Sequence, residues 1–285
     1  MRALVWTIGI VLALLLSGCA TAPRGMPLPS ESTPADSAPP AESPDPIGLI
    51  GLWRVSDAEG AAADTWLRLD GVEATLWREC GYMFGGWVAG DGAFVADLYA
   101  AHQGCMEGDG IPEIEWLDGA VGYARDGEGW ALLSADGSVV ARLAIDGAPP
   151  LHTDIVSTYN EQPVVDAEAR ARLSSTPLPE GLVPASADEL IGRWVPAAEV
   201  VHDPHVIVDA DGTWTGSDGC NGSRGRWLSP RAGLLLATSG PSTLIGCEGS
   251  AEPTAFGGAR GAGFDGETLV LFDPAGVEVA RLVRG

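Results

Sequence analysis

Cysteine, histidine, carboxylate and amide side chains are the groups in this 285-residue chain that could do chemistry. The five cysteines are Cys19, Cys80, Cys105, Cys220 and Cys247. A thiol can be acylated, ligate a soft metal, cycle with a second thiol or close a disulfide. The chain has no Cys-x-x-Cys, and no histidine recurs in step with the cysteines, so metal ligation and redox cycling lack support. His202-Asp203-Pro204-His205 offers two imidazoles, but Pro204 bends the segment just before a strand, and a surface loop is expected. Asp209, Asp211 and Asp218 could offer oxygens to calcium. Their spacing fits no EF-hand loop, and Asp211-Gly212 reads as a turn. Asn221, beside Gly219, Cys220 and Gly222, is expected to satisfy backbone groups in a tight turn, with a ligand contact as the second reading. Neither a nucleophile elbow, nor a zincin helix, nor a P-loop, nor a dinucleotide fingerprint occurs. No catalytic constellation, metal site or cofactor is therefore expected. Asp97 and Glu107 exemplify acids without an evident partner, which a hydrolase working through paired carboxylates could use.

The elements that must position these residues occur twice. Leu49-Ile50-Gly51-Leu52-Trp53 recurs as Leu190-Ile191-Gly192-Arg193-Trp194. Cys80 and Trp87 recur as Cys220 and Trp227, Cys105 and Pro112 as Cys247 and Pro253, and Ala141-Arg142-Leu143 as Ala280-Arg281-Leu282. Such order predicts two homologous domains, 47–147 and 187–285, joined by a proline-bearing linker at 148–186. Within that linker only Asp166 to Ser174 could form a short helix. Ten Asp-Gly dipeptides punctuate the chain, a strong hairpin signal. Hairpins are predicted around Asp136-Gly137, Asp211-Gly212 and Asp273-Pro274-Ala275-Gly276. One helix per domain is expected after the second cysteine, with Leu117, Ala120, Val121 and Ala124 on one face in the first domain and a glycine-weakened counterpart over 251–263. The expected fold class is α+β: two tandem small domains, each a mostly antiparallel β-sheet with one helix. The recurring Trp53/Trp194 and Trp87/Trp227 are expected in cores. Trp66, Trp77, Trp116, Trp130 and Trp214 lack matched partners, and a few of them are expected at the surface.

The N-terminus supplies an address. Arg2 is the only charge in the first 23 residues, and the apolar run from Ala3 to Ser17 is 15 long, too short for a span of about 20. Leu16-Ser17-Gly18-Cys19 closely resembles the lipobox of bacterial lipoproteins. That resemblance implies removal of residues 1–18 as a signal peptide and acylation of Cys19, with palmitate-type chains holding the protein on the outer face of a cell membrane. Each buried CH₂ contributes roughly 0.8 kcal/mol, so two or three chains retain a protein firmly. Residues 20–46, rich in Pro, Ser, Ala and Glu, are expected to be a disordered tether, so that 19–46 comprises the lipidated cysteine and linker. In the oxidising compartment so implied, disulfides Cys80–Cys105 and Cys220–Cys247 follow from their matching positions. A formal charge of −23 argues against nucleic acid and anionic lipid surfaces as partners.

The second domain carries a further likeness. Gly216-Ser217-Asp218-Gly219-Cys220-Asn221, followed by Gly225 and Trp227, is similar to the G-x-x-GCN-x-x-x-G-x-Y/W signature of META (HslJ-like) domains. Thr243-Leu244-Ile245-Gly246-Cys247 resembles that family's T-x-M-A-C element. The first domain departs from it, with Cys80-Gly81 in place of Cys-Asn and Ala101 in place of Thr. The resemblance implies a small α+β domain common in exported bacterial proteins and lipoproteins. The family is linked to heat-shock induction, antibiotic tolerance and, in parasites, motility or secretion. It brings no catalytic residue, but marks Gly219, Asn221 and Thr243 as motif or ligand positions. The expected function is that of a non-enzymatic envelope lipoprotein binding an envelope protein or small ligand. An envelope hydrolase or carbohydrate-active enzyme is the alternative.

Overall fold

Short turns between strands of alternating polarity build most of the protein. The computed structural model describes residues 43–108, 110–150, 157–246 and 248–285. The predicted signal peptide, Cys19, most of the 19–46 tether and Cys247 lie outside the described residues. Eight antiparallel strands close into a barrel: β1 (Gly51–Ser56), β2 (Trp66–Leu69), β3 (Glu73–Arg78), β4 (Gly81–Gly90), β5 (Ala93–Ala101), β6 (Gly122–Asp126), β7 (Gly129–Leu133) and β8 (Val139–Ala144). Closure comes from β5 against β6, where Ala93 pairs with Gly122. Asp91-Gly92 and Asp136-Gly137 turn two of its hairpins, with glycine φ of 78° and 82°, a left-handed region that most side chains avoid.

The second sheet comprises β9 (Val183–Pro184), β10 (Gly192–Pro196), β11 (His205–Val208), β12 (Thr213–Ser217), β13 (Gly222–Leu228), β14 (Leu236–Ala237), β15 (Gly261–Asp265), β16 (Thr268–Phe272) and β17 (Glu278–Arg284). Its order, β14-β13-β12-β11-β10-β17-β16-β15-β9, repeats the first barrel's β5-β4-β3-β2-β1-β8-β7-β6 and adds β9. Near-closure occurs at the equivalent place, through a bridge between Leu234 and Gly261. The predicted hairpins are present as β7–β8, β11–β12 and β16–β17. Among the described residues strand accounts for 41% and helix for 12%, mostly as antiparallel sheet.

Tryptophans anchor both sheets in the same way. The Trp53 indole donates to Leu49 O (2.8 Å), and that of Trp194 to Leu190 O (2.7 Å). Trp87 donates to Asp70 O (2.8 Å), and Trp227 to Asp209 O (2.9 Å). All four rings are buried, each contributing roughly 1.5–3 kcal/mol or more through removal of its surface from water. Trp66, Trp77, Trp116, Trp130 and Trp214 are buried as well, against the expectation that a few face solvent. For Trp66 and Trp77 the reason lies in the linker. They form an outer cluster with Leu52, against which Tyr159 packs, and Gln162 exchanges hydrogen bonds with the Leu52 backbone (2.9 and 3.1 Å).

The expected helices shrink. Among the described residues of the first half only α1 (Glu115–Asp118) is α-helical, and Ala124, expected on its face, lies in β6. In the second half Pro253–Gly258 is a 3₁₀ helix, and β15 begins at Gly261. A four-residue turn cannot offset helix nucleation, Gly119 and Gly122 weaken its continuation, and β6 instead gains a full antiparallel partner in β7. The short linker helix is present as α2 (Ala167–Leu173), capped by the Asp166 carboxylate on the Ala169 N–H (2.8 Å).

Residues 42–285 form one compact unit. Leu234 and Leu236 of the second half and Ala169 and Leu173 of α2 join the core of the first barrel. A final turn, α3 (Ala187–Leu190), leads into β10. No described helix is long and apolar enough to cross a membrane.

Candidate functional site

The turn between β12 and β13 collects the motif residues. The Asp218 Oδ1 accepts the N–H groups of Cys220 (2.8 Å) and Asn221 (2.6 Å). Gly219 has φ 101°, and a Cβ there would meet the His202 Cβ at 2.9 Å, so the position requires glycine. Asn221 is 7% exposed. Its Nδ2 donates to Asp218 Oδ2 (2.9 Å) and Ile245 O (2.9 Å), and its Oδ1 accepts from Thr243 Oγ1 (2.8 Å) and Ile245 N (2.6 Å). Both amide protons and both carbonyl lone pairs are thus occupied. The amide staples the 243–245 loop to the turn and holds Leu244, 98% exposed, out into solvent. Hydrogen bonds from Asn221 and Cys220 hold the Asp218 carboxyl below the usual aspartate range. Gly219, Asn221 and Thr243 therefore meet, in an arrangement whose observed work is backbone satisfaction.

Cys80 and Cys105 are joined by a disulfide, with Cα atoms 4.9 Å apart. The predicted Cys220–Cys247 bridge includes a residue outside the described set. Beside the first bridge lies a cavity of about 410 Å³ lined by Arg78, Glu79, Met106 and Glu107. A neighbouring cavity of about 260 Å³ shares Arg78 with it and adds Glu59, Glu113 and Glu115. Glu107 thus faces a cleft, whereas Asp97 goes elsewhere.

Asp97, on β5, belongs to an ionic cluster between the two halves. Burial pushes its carboxyl above the ordinary aspartate value, opposed by Arg226 and Arg224. Burial also raises Asp118. The Arg226 Nη2 donates to Asp118 O (2.6 Å), and its Nη1 lies 3.4 Å from both Asp118 Oδ1 and Ala96 O. Sequence reasoning missed Asp118 and Arg226, which stand 108 positions apart; nothing local signals such a contact.

The remaining candidates serve turns. Asp203 pairs with Arg193 (2.7 Å), and its carbonyl lies 2.8 Å from His205 Nδ1. Asp211 Oδ1 accepts the Thr213 N–H (2.9 Å) and Oγ1–H (2.6 Å), and Asp209 O takes the Trp227 indole. Among the described residues no group of three or more His, Cys, Asp or Glu is placed to hold a metal.

A site that motif reading missed lies beside β10 and β17. A cavity of about 640 Å³ is lined by Trp194, Phe264, Val183 and Val283, with Glu189, Glu267 and Arg284 around them. Trp194 and Phe264 lie 6.0 Å apart between centroids, and the Arg284 guanidinium sits 4.0 Å over the Trp194 ring. That guanidinium is fixed by the carbonyls of Ile191 (2.5 Å) and Glu189 (2.6 Å). Such a wall, apolar with a few fixed charges, suits an apolar or amphipathic ligand. The chain matches no known protein-family model, no curated protein and no solved structure.

Proposed function

We propose that this protein is a lipid-anchored envelope protein whose two META-like domains, 47–147 and 187–285, bind a protein or small ligand without performing chemistry on it. Cys19 carries the acyl chains, and residues 20–46 are the tether. A place in envelope stress or antibiotic tolerance rests on the family likeness alone. The binding reading is carried by the 640 Å³ cavity, in which Val183 is 62% exposed beside the Trp194–Phe264 pair. Support for the META-like reading comes from the meeting of Gly219, Asn221 and Thr243 in one staple. Capture from solubilised envelopes by residues 42–285 is expected to retain a partner that a Val183→Asp/Val283→Asp variant loses. Equal retention by both proteins rules the cavity out. Cys19→Ser is expected to abolish acyl labelling and membrane retention; a variant that stays with the membrane removes the anchor from the proposal.

The alternative, an envelope hydrolase, draws on Glu79 and Glu107 lining one cavity. Hydrolysis of an envelope polymer by residues 42–285, lost in Glu107→Gln, selects this reading over the first.

A further inference from the structure

Arg260 lines neither the Trp194 cavity nor the cavities beside the Cys80–Cys105 bridge. It stands just before β15, where its N–H donates to Phe272 O (2.7 Å) and its carbonyl accepts from Leu235 N (3.2 Å). The first barrel closes identically at Val121, whose N–H donates to Leu133 O (2.8 Å) and whose carbonyl accepts from Phe94 N (3.0 Å). Closure therefore needs no charged side chain at this position. Arg260 is nevertheless 4% exposed. Its Nη1 donates to Ala259 O (2.7 Å) and lies 3.4 Å from Ala237 O, and its Nε is buried with no acceptor among the described residues. The other charge acting on it is the guanidinium of Arg172, of the same sign, and burial pushes Arg260 down to about 9. A buried cation is costly unless an anion meets it. In a chain with 39 carboxylates and 16 cationic side chains, a cation left unmatched indoors is conspicuous.

Arg260 lines a cavity of about 430 Å³ between residues 175–184 and 231–234. Leu178, Leu182 and Pro184 supply an apolar wall, and Glu180 and Arg231 the other charges. Arg231 is already paired with Asp91 (2.7 Å), and Glu180 is exposed.

We propose that this cavity binds a monocarboxylate bearing an apolar chain, with the carboxylate on Arg260 and the chain against Leu178 and Leu182. With Nη1 occupied, the guanidinium retains its Nε/Nη2 edge. That edge presents two parallel N–H groups at the spacing of carboxylate oxygens. Among the residues lining the cavity, Arg260 is the cation without an ion pair, and one negative charge matches it. Inorganic phosphate brings more charge and nothing for the leucines. The inference rests on Arg260 and its surroundings and is independent of the Trp194 cavity.

Isothermal titration of residues 42–285 with octanoate, octanamide and inorganic phosphate tests it. Octanoate is expected to bind once per chain, with octanamide and phosphate at least about tenfold weaker. Arg260→Met is expected to lose octanoate affinity at least about tenfold while melting no lower than the parent, since an unmatched charge is removed. Arg260→Lys keeps the charge without the fork and is also expected to weaken binding. If the Met variant fails to fold, Leu178→Asp/Leu182→Asp at the wall is expected to lower octanoate affinity by a similar factor. The proposal is overturned by absence of octanoate binding up to about 10 mM, well above a useful affinity. It is equally overturned by octanamide or phosphate binding as tightly as octanoate, or by undiminished binding in Arg260→Met or the wall variant.

Discussion

Asn221 shows what one buried amide can do. Four hydrogen bonds reach from it to Asp218, Thr243 and both backbone groups of Ile245. Asn221→Ala leaves those partners unmet and is expected to cost about 1–3 kcal/mol. Denaturant unfolding measures the loss, and hydrogen exchange should report the 243–246 loop opening first. Asn221→Asp is predicted to do worse at neutral pH, because a second carboxylate then faces Asp218 Oδ2 and the donors are gone. The deficit should shrink as pH falls into the carboxylate range and one of the two acids takes a proton; a deficit constant between pH 7 and pH 4 contradicts this account.

Among the elements, the β3–β4 turn and the segment after β5 depend on the Cys80–Cys105 bridge. It spans 25 positions, a loop for which chain entropy gives about 3.5 kcal/mol of stabilisation. Cys80→Ser/Cys105→Ser is expected to lower unfolding free energy by roughly that amount, mainly by freeing the unfolded chain. Chemical denaturation of variant and parent compares the two. Arg142 and Arg281, at equivalent places on β8 and β17, each pair with the aspartate that opens the preceding hairpin turn, Asp126 and Asp265. These pairs are exposed, so solvent screens them, and their removal is expected to leave the unfolding midpoint almost unchanged.

At the scale of the whole molecule, the contact between the halves combines apolar packing of Leu234 and Leu236 with the Asp97–Arg226–Asp118 cluster. Arg226→Leu removes the cation that faces two half-buried acids. A cost of about 1–3 kcal/mol is expected, below that of a fully buried pair because the Asp118 side chain is 41% exposed. Differential scanning calorimetry measures it. Asp97 gives the cluster a pH dependence. Its folded carboxyl binds a proton more readily than an unfolded aspartate, so its contribution to stability is best when protonated. That contribution falls as pH rises from the ordinary aspartate range through the raised value. Asp97→Asn should therefore match the parent near about pH 3.5, where both side chains are neutral, and melt higher at pH 7. A parent that melts higher at pH 7 contradicts this sign. Asp218 acts oppositely, since a lowered carboxyl loses its contribution as pH falls. The difference between variant and parent isolates the Asp97 effect.

Turn chemistry and strand alternation are local, and they were legible. Asp136-Gly137, Asp211-Gly212 and Asp273–Gly276 announce their hairpins within a few residues, and Asp166 announces α2 by the cap it makes on the Ala169 N–H. The doubled order of Trp, Cys and Ala-Arg-Leu landmarks was likewise readable, and the second sheet follows the strand order of the first. The 115–124 segment misled because its apolar spacing suits a helix face, whereas pairing with β7 is stronger than a helix interrupted by Gly119 and Gly122. Only tertiary structure decided the rest. Asn221 meets a carbonyl 24 positions away, Trp66 and Trp77 are covered by the linker's Tyr159, and Arg226 reaches Asp118 across the two halves. Arg260 and Val121 occupy the same place in the second sheet and in the barrel yet differ in charge. Local pattern determines which way each strand's side chains point, but the groups that meet across a closure or an interface are set by how separate elements pack. No short-range periodicity carries that information.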